Sequence, residues 1–229
     1  MNFSIIFAVL NEEKNIRPLI ISIKKHLKKT THELIFVDDN SSDNTAKEIK
    51  KFSKKNVKYY LRKDKKDISQ SSILGIQNSK YENIIIMDSD LQHNPMYLPK
   101  MIKKYKIEKA DFVVGVRNFK SNKGLSKTRL FGSKTLCFIY NFFLGYRVSD
   151  PMTGFAIFKK SIFKKNFSRL YGKGWKLLAD LIYNKDNFKI IEHKIYFNKR
   201  IHHYSKINFF VLWNVVRLFF FKFYLLNIK

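Results

Sequence analysis

Short apolar runs alternate in the first half of the chain with stretches whose apolar residues recur every three or four positions. The runs predict buried β-strands, and the stretches predict amphipathic helices. We expect strands over residues 3–10, 33–38, 57–61, 83–87 and 111–116. Helices are expected over residues 11–28, 45–53, 69–78 and 97–106, the first with Ile16, Leu19, Ile20, Ile23 and Leu27 on one face.

This alternation predicts an α/β fold with an open, mostly parallel sheet and helices on both of its faces. The second half of the chain is less regular. We expect an aromatic helix over residues 127–144, a polar loop at 150–154, a helix at 175–183 and an edge strand at 190–197. Residues 208–228 form a last aromatic, apolar stretch.

Polar clusters follow three of the predicted strands, at Asn11-Glu12, at Asp38-Asp39 and at residues 88–92. In open parallel sheets, ligands bind beyond the carboxyl ends of the strands, so these clusters are expected at one site. Asp88 and Asp90 are hard oxygen ligands suited to Mg²⁺ or Mn²⁺, which bridges diphosphate oxygens. Gln92 adds a neutral oxygen. The alternative for Asp88 and Asp90 is an acidic cap on a strand-to-helix turn.

Asp38 and Asp39 are open to two interpretations. Their position before Asn40-Ser41-Ser42-Asp43 suits a cap on the next helix. A carboxylate at a strand end also accepts hydrogen bonds from the N–H groups of a nucleobase.

Charge and cysteine content limit the classes of partner and compartment. The formal net charge of +27 implies attraction to polyanions, either nucleic acid or an anionic membrane leaflet. A lysine-rich composition with solvated side chains is the alternative explanation. Cys137 is the single cysteine, which excludes an internal disulfide and fits a reducing compartment. The first fifteen residues lack a basic region before their apolar run, which argues against a secretory signal.

Three segments together resemble the family-2 glycosyltransferases, and more narrowly the dolichyl/polyprenyl-phosphate mannosyltransferases. They are Val-Asp-Asp-Asn-Ser-Ser-Asp-Asn-Thr at 37–45, Met-Asp-Ser-Asp-Leu-Gln-His at 87–93 and Arg-Ile-His-His-Tyr-Ser-Lys at 200–206. The resemblance runs over nearly the whole chain, and its specificity comes from the order of the segments. It implies the GT-A nucleotide-diphospho-sugar transferase fold, with a catalytic domain over residues 1–206.

The resemblance also implies the residues of the site. Asp90 and Arg117 are the expected catalytic residues, and Asp88, Asp90 and Gln92 the expected ligands of Mg²⁺ or Mn²⁺. The residues expected to bind the donor nucleotide-sugar are Ala8, Leu10, Asn11, Glu12, Phe36, Asp38, Asp39, Asp88, Ser89, Asp90, Gln92 and Arg117. Those expected to bind the acceptor phosphate are Arg129, Ser133, Arg200, Ser205 and Lys206, beside a loop at residues 150–155. Asp180 stands where the family has a glutamate.

The expected reaction is an inverting transfer of a hexose, with mannose from GDP-mannose as the first choice, to dolichyl or polyprenyl phosphate. A phosphate acceptor is an anion near neutral pH and needs no strong general base, whereas a neutral acceptor does. A UDP-sugar donor and a glycan acceptor are the alternatives within the family. A basic nucleic-acid-binding protein is a further alternative, but the basic residues are spread along the chain and we expect no nucleic-acid partner.

The last stretch, residues 207–229, is expected to be a membrane-interface helix, which places the enzyme at the cytoplasmic face of a membrane. Its aromatic content and its basic residues Arg217 and Lys222, with charged groups reaching back to the water, suit such a helix. A buried core helix and a bilayer span are the alternatives. The aromatic residues 138–143 suit a second segment that dips into the membrane.

Overall fold

The computed structural model describes residues 1–53, 56–118, 127–197 and 209–227, with the backbone alone at 127–129 and 209–212. Seven strands form one sheet: β1 (Phe3–Val9), β2 (His32–Asp38), β3 (Val57–Leu61), β4 (Asn83–Ile86), β5 (Phe112–Arg117), β6 (Ala156–Lys159) and β7 (Ile190–Ile195). The helices are α1 (Glu13–His26), α2 (Thr45–Lys50), α3 (Ile68–Gln77), α4 (Leu98–Glu108), α5 (Lys127–Leu144), α6 (Lys160–Asn166), α7 (Leu177–Ile182) and α8 (Phe209–Asn227).

The sheet has the order β3-β2-β1-β4-β6-β5-β7, and every strand except β6 runs in the same direction. The predicted strands and helices of the first half are all present, with ends that differ by at most three residues. The strand predicted at 190–197 is β7, which lies at the sheet edge as expected.

Two elements are absent from the sequence prediction. Strand β6 pairs antiparallel with both β4 and β5, and helix α6 follows it without an intervening turn. Because β6 runs against its neighbours, its amino end lies at the carboxyl edge of the other strands. The loop at residues 150–155 therefore enters the same edge of the sheet as the polar clusters.

Alternate side chains of the strands face two separate cores. On one face, Phe3, Ile5 and Phe7 pack against α1, α2 and α4; on the other, Ile6 and Ile84 pack against α3, α5, α6, α7 and α8. The expected face of α1 is fully formed, with Ile16, Leu19, Ile20, Ile23 and Leu27 all buried. Burial on both faces explains why the strands read as continuous apolar runs. The α/β prediction, with helices on both faces, is confirmed.

Helix α8 packs beside α5 and buries one side only. Val215, Leu218 and Lys222 are buried, whereas Trp213 and Phe220 are exposed. The expectation that the charged group of Lys222 reaches back to the water is wrong, since this side chain is fully buried and pairs with Asp180. Among the described residues, no helix combines the length and apolar character that crossing a bilayer requires.

Candidate active site

The loop after β1 is bound to the loop after β2. The Asn11 Oδ1 accepts the backbone N–H of Ser42 at 2.8 Å, and the Ser41 hydroxyl accepts the N–H of Asn11 at 2.9 Å. Asn11 has a φ of 53°, a left-handed conformation that asparagine tolerates better than most residues. The N–H of Glu12 donates to Thr45 Oγ1 at 2.7 Å. Asn11 and Glu12 therefore shape this edge by connecting two strand ends.

The carboxylate of Asp38 closes the turn that follows β2. Its Oδ1 accepts the N–H and the hydroxyl of Ser41 at 2.8 and 2.6 Å, and its Oδ2 accepts the Tyr59 hydroxyl at 3.1 Å. Burial, together with the charge of Asp38, raises the pKa of Tyr59 to about 12. Asp38 thus closes the turn and does not cap α2, whose N-cap residue is Asn44. Asp43 accepts the N–H of Thr45 at 2.9 Å at the start of that helix. Binding of a nucleobase by Asp38 and Asp39 stays a prediction.

Asp39 contacts Arg62 and Asp67, which follow β3, and not the turn that Asp38 closes. Its Oδ1 lies 3.2 Å from the Nε of the buried Arg62, and its Oδ2 accepts the N–H of Asp67 at 2.6 Å. Burial raises the pKa of Asp39, and the charge of Arg62 opposes that rise. Sequence reasoning missed Arg62, although this residue directly follows β3 and so satisfies the same strand-end criterion as the acids.

The Asp-Ser-Asp segment after β4 begins at a cleft that Asp88 lines. The Asp88 side chain is 50% exposed, whereas Asp90, Ser89 and Gln92 are buried. Asp88 Oδ2 lies 3.3 Å from Nδ1 of the buried His93. Asp90 Oδ1 accepts the N–H of Gln92 at 3.1 Å, which fixes the turn between them.

Gly154 allows the Asp88 carboxylate to lie against the loop at 150–155. A Cβ at Gly154 would be 2.5 Å from Asp88 Oδ1, so no larger residue fits without displacing the acid. The cleft beside Asp88 is lined by Ile6, Ala8, Ile68, Ser69, Ser72, Ile86, Met87, Thr153, Gly154, Trp175, Leu177 and Leu178. Of the predicted donor-binding residues, Ala8 and Asp88 line this cleft.

Two carboxylates and one amide suit a divalent metal that takes its remaining ligands from a diphosphate and water. Within the described part of the chain, no group of three His, Cys, Asp or Glu side chains is placed to hold a metal. Asp88, Asp90 and Gln92 include only two acids, so they do not form such a group. They fit an ion that a nucleotide helps to coordinate, rather than a site closed by protein ligands.

The side chain of Phe36 does not reach the site. It is fully buried and stacks on Phe7 with ring centroids 4.8 Å apart, in the core beneath α1. Alternation along β2 turns the side chain of Phe36 away from the cleft face, which leaves its backbone for contact with a donor, and donor binding by Phe36 stays a prediction. Leu10 is half-buried in the loop after β1.

Arg117 forms a bidentate ion pair with Asp150. Its Nε and Nη2 donate to the two carboxylate oxygens at 2.6 and 2.8 Å, and Nη2 also donates to the Ser133 hydroxyl at 2.8 Å. Burial disfavours the charged form of Asp150 and would raise its pKa. The hydrogen bond and the charge of Arg117 outweigh this effect and hold the pKa of Asp150 below its usual value. Arg117 therefore connects β5 and α5 to the loop at 150–155.

Lys176 is a second cation near Asp88 that the sequence analysis did not select. Its Nζ donates to the carbonyl of Met152 at 2.6 Å, within the same loop. Burial lowers the pKa of Lys176, and the charge of Asp88 acts in the opposite direction. The residue lies between Trp175 and Leu177, which both line the cleft. No strand ends there, so the strand-end pattern could not identify it.

Most of the predicted acceptor-binding residues fall outside the described structure. Arg200, Ser205 and Lys206 lie beyond the described residues, and of Arg129 only the helical backbone is described. Ser133 is described, and its hydroxyl accepts a hydrogen bond from Arg117.

Comparison with known proteins places this architecture in a family. Residues 4–167 match the model of glycosyl transferase family 2. The chain is 28% identical over 212 residues to a dolichol-phosphate mannosyltransferase of Pyrococcus furiosus, covering 90% of this chain and 59% of that protein. It is 28% identical over 194 residues to the dolichol-phosphate mannosyltransferase of Saccharomyces cerevisiae, covering 80% and 70%.

An uncharacterised protein of Methanocaldococcus jannaschii is 39% identical over 123 residues, covering 50% of this chain and 52% of that protein. The chain thus spans 52% and 59% of the length of two of these relatives. Among solved structures, glucosyl-3-phosphoglycerate synthase from Mycobacterium tuberculosis, in complex with Mn²⁺, UDP and phosphoglyceric acid, superposes with a TM-score of 0.71. It shares 16% identity, and the match covers 97% of this chain and 78% of that one. The predicted GT-A fold is confirmed, and the chain belongs to glycosyl transferase family 2.

Proposed function

We propose that the protein transfers a hexose, with inversion, from a nucleotide-diphospho-sugar to a polyprenyl or dolichyl phosphate. GDP-mannose is the favoured donor, because the relatives that match most of this chain are named dolichol-phosphate mannosyltransferases. The observation that carries the proposal is the half-exposed carboxylate of Asp88 in a cleft, with Lys176 near enough to feel its charge. A metal ion held by this carboxylate, with a cationic side chain nearby, would suit a reaction between two anionic substrates.

The state of Asp180 supports a phosphate acceptor. This acid is 2% exposed, accepts the N–H groups of Tyr171 and Gly172 and pairs with Lys222. A carboxylate held in this way is poorly suited to removing a proton from a hydroxyl acceptor. A phosphate oxygen attacks without losing a proton, so this arrangement suits it.

In the proposed reaction, a phosphate oxygen of the acceptor attacks the anomeric carbon, and the bond to the nucleoside diphosphate breaks. Asp88, Asp90 and Gln92 would hold Mg²⁺ or Mn²⁺, which stabilises the departing diphosphate. The Arg117–Asp150 pair keeps the loop at 150–155 against Asp88. Lys176 adds positive charge where the two anions meet, which lowers their mutual repulsion.

The test is a transfer assay with Mg²⁺ or Mn²⁺, a short polyprenyl phosphate and radiolabelled GDP- and UDP-sugars. Label from GDP-mannose is expected in the organic phase. UDP-glucose is the second donor to test, because one similar solved structure contains it with Mn²⁺. Asp88→Asn should lower transfer by at least about a hundredfold, whereas Asp186→Asn, outside the cleft, should not. The absence of transfer from every donor, or full activity in Asp88→Asn, refutes the proposal.

We propose further that the protein acts at the cytoplasmic face of a membrane, through an aromatic face on α5 and α8. This face consists of exposed rings that meet on the partly buried Phe219 between the two helices. Phe138 contacts Phe142, Phe142 contacts Phe143, and Phe143 and Phe223 contact Phe219. Phe138, Phe142 and Phe220 are 66%, 68% and 63% exposed. Large exposed apolar patches are typical of interaction surfaces, and the net charge of +27 favours an anionic lipid partner.

Sedimentation with vesicles of phosphatidylglycerol and phosphatidylcholine tests this surface. The double variant Phe138→Ser, Phe142→Ser should bind at least about tenfold more weakly, because each buried ring contributes roughly 1.5–3 kcal/mol. Ile107→Ser is the matched control, since Ile107 is 66% exposed on α4, against the opposite face of the sheet. Equal binding by the wild type and the double variant contradicts the assignment.

A further inference from the structure

The loop of residues 169–176, here called the bridging loop, lies between the cleft and α8. On the cleft side it is bound to the start of α3. The N–H of Ser69 donates to the carbonyl of Gly174 at 2.9 Å, and the N–H of Gly174 donates to Asp67 Oδ2 at 2.7 Å. Gln70 Nε2 donates to the carbonyl of Gly172 at 2.6 Å. These hydrogen bonds hold the loop and the first turn of α3 together.

These contacts matter because both segments line the cleft. Ile68 and Ser69 of α3 form one side, next to Trp175 of the bridging loop. Asp67 also donates its N–H to Asp39, so the same connection continues to the end of β2. A shift of the bridging loop would move the wall of the cleft.

On its other side, the bridging loop is held by a buried ion pair between α7 and α8. Asp180 Oδ1 accepts the N–H of Tyr171 at 3.1 Å, and Oδ2 accepts the N–H of Gly172 at 2.7 Å. Lys222 Nζ lies 2.7 Å from Asp180 Oδ1 and donates to the carbonyl of Arg169 at 2.9 Å. One charge pair thus binds three backbone groups of the loop to α8.

Helix α8 also approaches the loop closely at Gly174. This residue has a φ of +87°, and a Cβ there would lie 2.9 Å from Asn214 Cβ, so glycine is needed both for the turn and for the packing. The rings of Tyr171 and Phe221 are 5.6 Å apart. The loop is therefore enclosed between α3 and α8.

A buried ion pair is a poor source of stability. Lys222 is fully buried and Asp180 is 2% exposed, so both charges lose their hydration, and an apolar pair of similar volume often stabilises a fold as much or more. What an apolar pair lacks is the set of directional hydrogen bonds to the bridging loop. A positional role explains why charges lie there.

We propose that Asp180 and Lys222 are positioning residues through which the docking of α8 sets the wall of the nucleotide-sugar cleft. The inference rests on the proposed function only in treating this cleft as the donor site. It connects the helix that carries part of the aromatic face to the cleft about which the transfer reaction is proposed.

The test is amide hydrogen exchange of the full chain, which needs no substrate. The double variant Asp180→Asn, Lys222→Met removes both charges, and an asparagine accepts only one of the two N–H groups through its single oxygen. Its melting temperature is expected to be near that of the wild type. Exchange in residues 67–72 and 169–176 is nevertheless expected to rise by about tenfold or more, with β1 and β4 unchanged.

Leu218→Ala is the control, because it removes a buried contact of α8 and leaves the ion pair in place. Residues 67–72 should exchange in this variant as slowly as in the wild type. A folded double variant with wild-type exchange in residues 67–72 overturns the inference, and so does an equal rise in the double variant and Leu218→Ala. Calorimetric titration with Mn²⁺ and GDP or UDP should show about tenfold weaker nucleotide binding in the double variant alone. A wild type that transfers no sugar would refute the proposed function and leave the exchange result intact.

Discussion

Replacing Asp150 with asparagine is expected to destabilise the protein far more than the same change at a surface ion pair. Asp150 is fully buried, and its carboxylate accepts three hydrogen bonds from Arg117, at 2.6, 2.8 and 3.3 Å. The N–H of Met152 adds a fourth at 3.2 Å. An asparagine has nearly the same shape, but it has one acceptor oxygen and no charge. The variant therefore removes the buried carboxylate that binds both sides of the Arg117 guanidinium, which is itself only 10% exposed.

The magnitude follows from the burial of both partners. Removing one member of a buried ion pair costs about 3–5 kcal/mol, because the remaining charge stays desolvated. The asparagine oxygen retains part of the hydrogen bonding, so we expect the lower end, about 3 kcal/mol. With an m value of about 2–3 kcal/mol/M in urea, the midpoint of unfolding should fall by about 1–1.5 M.

Equilibrium unfolding in urea, followed by circular dichroism, measures this change. Asp186→Asn is the matched control, since Asp186 pairs with Lys165 at 3.2 Å and the lysine side chain is 69% exposed. The asparagine keeps one oxygen that can accept the hydrogen bond from the buried Asn166. Exposed pairs contribute about 0–1 kcal/mol, so the control should hardly move the midpoint. Equal, small shifts for Asp150→Asn and Asp186→Asn would refute the argument from burial.

The pH dependence gives an independent check on the same pair. Arg117 holds the pKa of Asp150 below its usual value in the folded protein, despite the opposing effect of burial. A carboxylate whose folded pKa is depressed contributes its full stability above its unfolded pKa of about 3.9. That contribution disappears as the pH falls through the folded pKa. The difference in unfolding free energy between the wild type and Asp150→Asn should therefore be constant near neutral pH and shrink in acid.

Three further substitutions or probes follow from the geometry. Gly154→Ala should displace the Asp88 carboxylate, because the new Cβ would lie 2.5 Å from Oδ1. The variant should bind Mn²⁺ about tenfold more weakly in the presence of nucleotide, which electron paramagnetic resonance measures. Cys137 should react with a maleimide only after denaturation, since burial raises the pKa of its thiol to about 12; rapid labelling of the folded protein would contradict this. Tyr59→Phe should lower the unfolding free energy by about 1 kcal/mol through loss of the hydrogen bond to Asp38, which a urea titration measures.

The parallel part of the sheet could be predicted because each strand is buried on both faces. Residues 84–86, for example, are three consecutive isoleucines that alternate between the two cores. This apolar run can be recognised without knowing which strands pair with it. Strand β6 has only four residues, Ala156–Lys159, and continues directly into α6. Its position depends on pairing with β4 and β5, which lie far away in the chain. Local periodicity carries no information about that pairing.

The location of the site could also be predicted, but the partners of its charged groups could not. The strand-end criterion places Asp38 and Asp88 at one edge, and both lie there. It does not indicate that the Asp38 carboxylate accepts hydrogen bonds from Ser41 and Tyr59, whereas the Asp88 side chain is half exposed. That difference comes from side chains brought together by the sheet order. For the same reason Lys176, which reaches Met152 from the start of α7, has no signature in the sequence.

The pairing of Arg117 changes how charge at the site is interpreted. The resemblance assigns this arginine to the donor, but its guanidinium donates to both oxygens of Asp150, so the pair carries little net charge. Two anionic substrates still require compensation. Among the described residues near Asp88, Lys176 is placed to supply it, and Arg129, Arg200 and Lys206 remain predicted contributors. Arg117 then acts by holding the loop at 150–155, and Arg117→Lys should alter the geometry at Asp88 more than the net charge, since lysine cannot reproduce the bidentate fork.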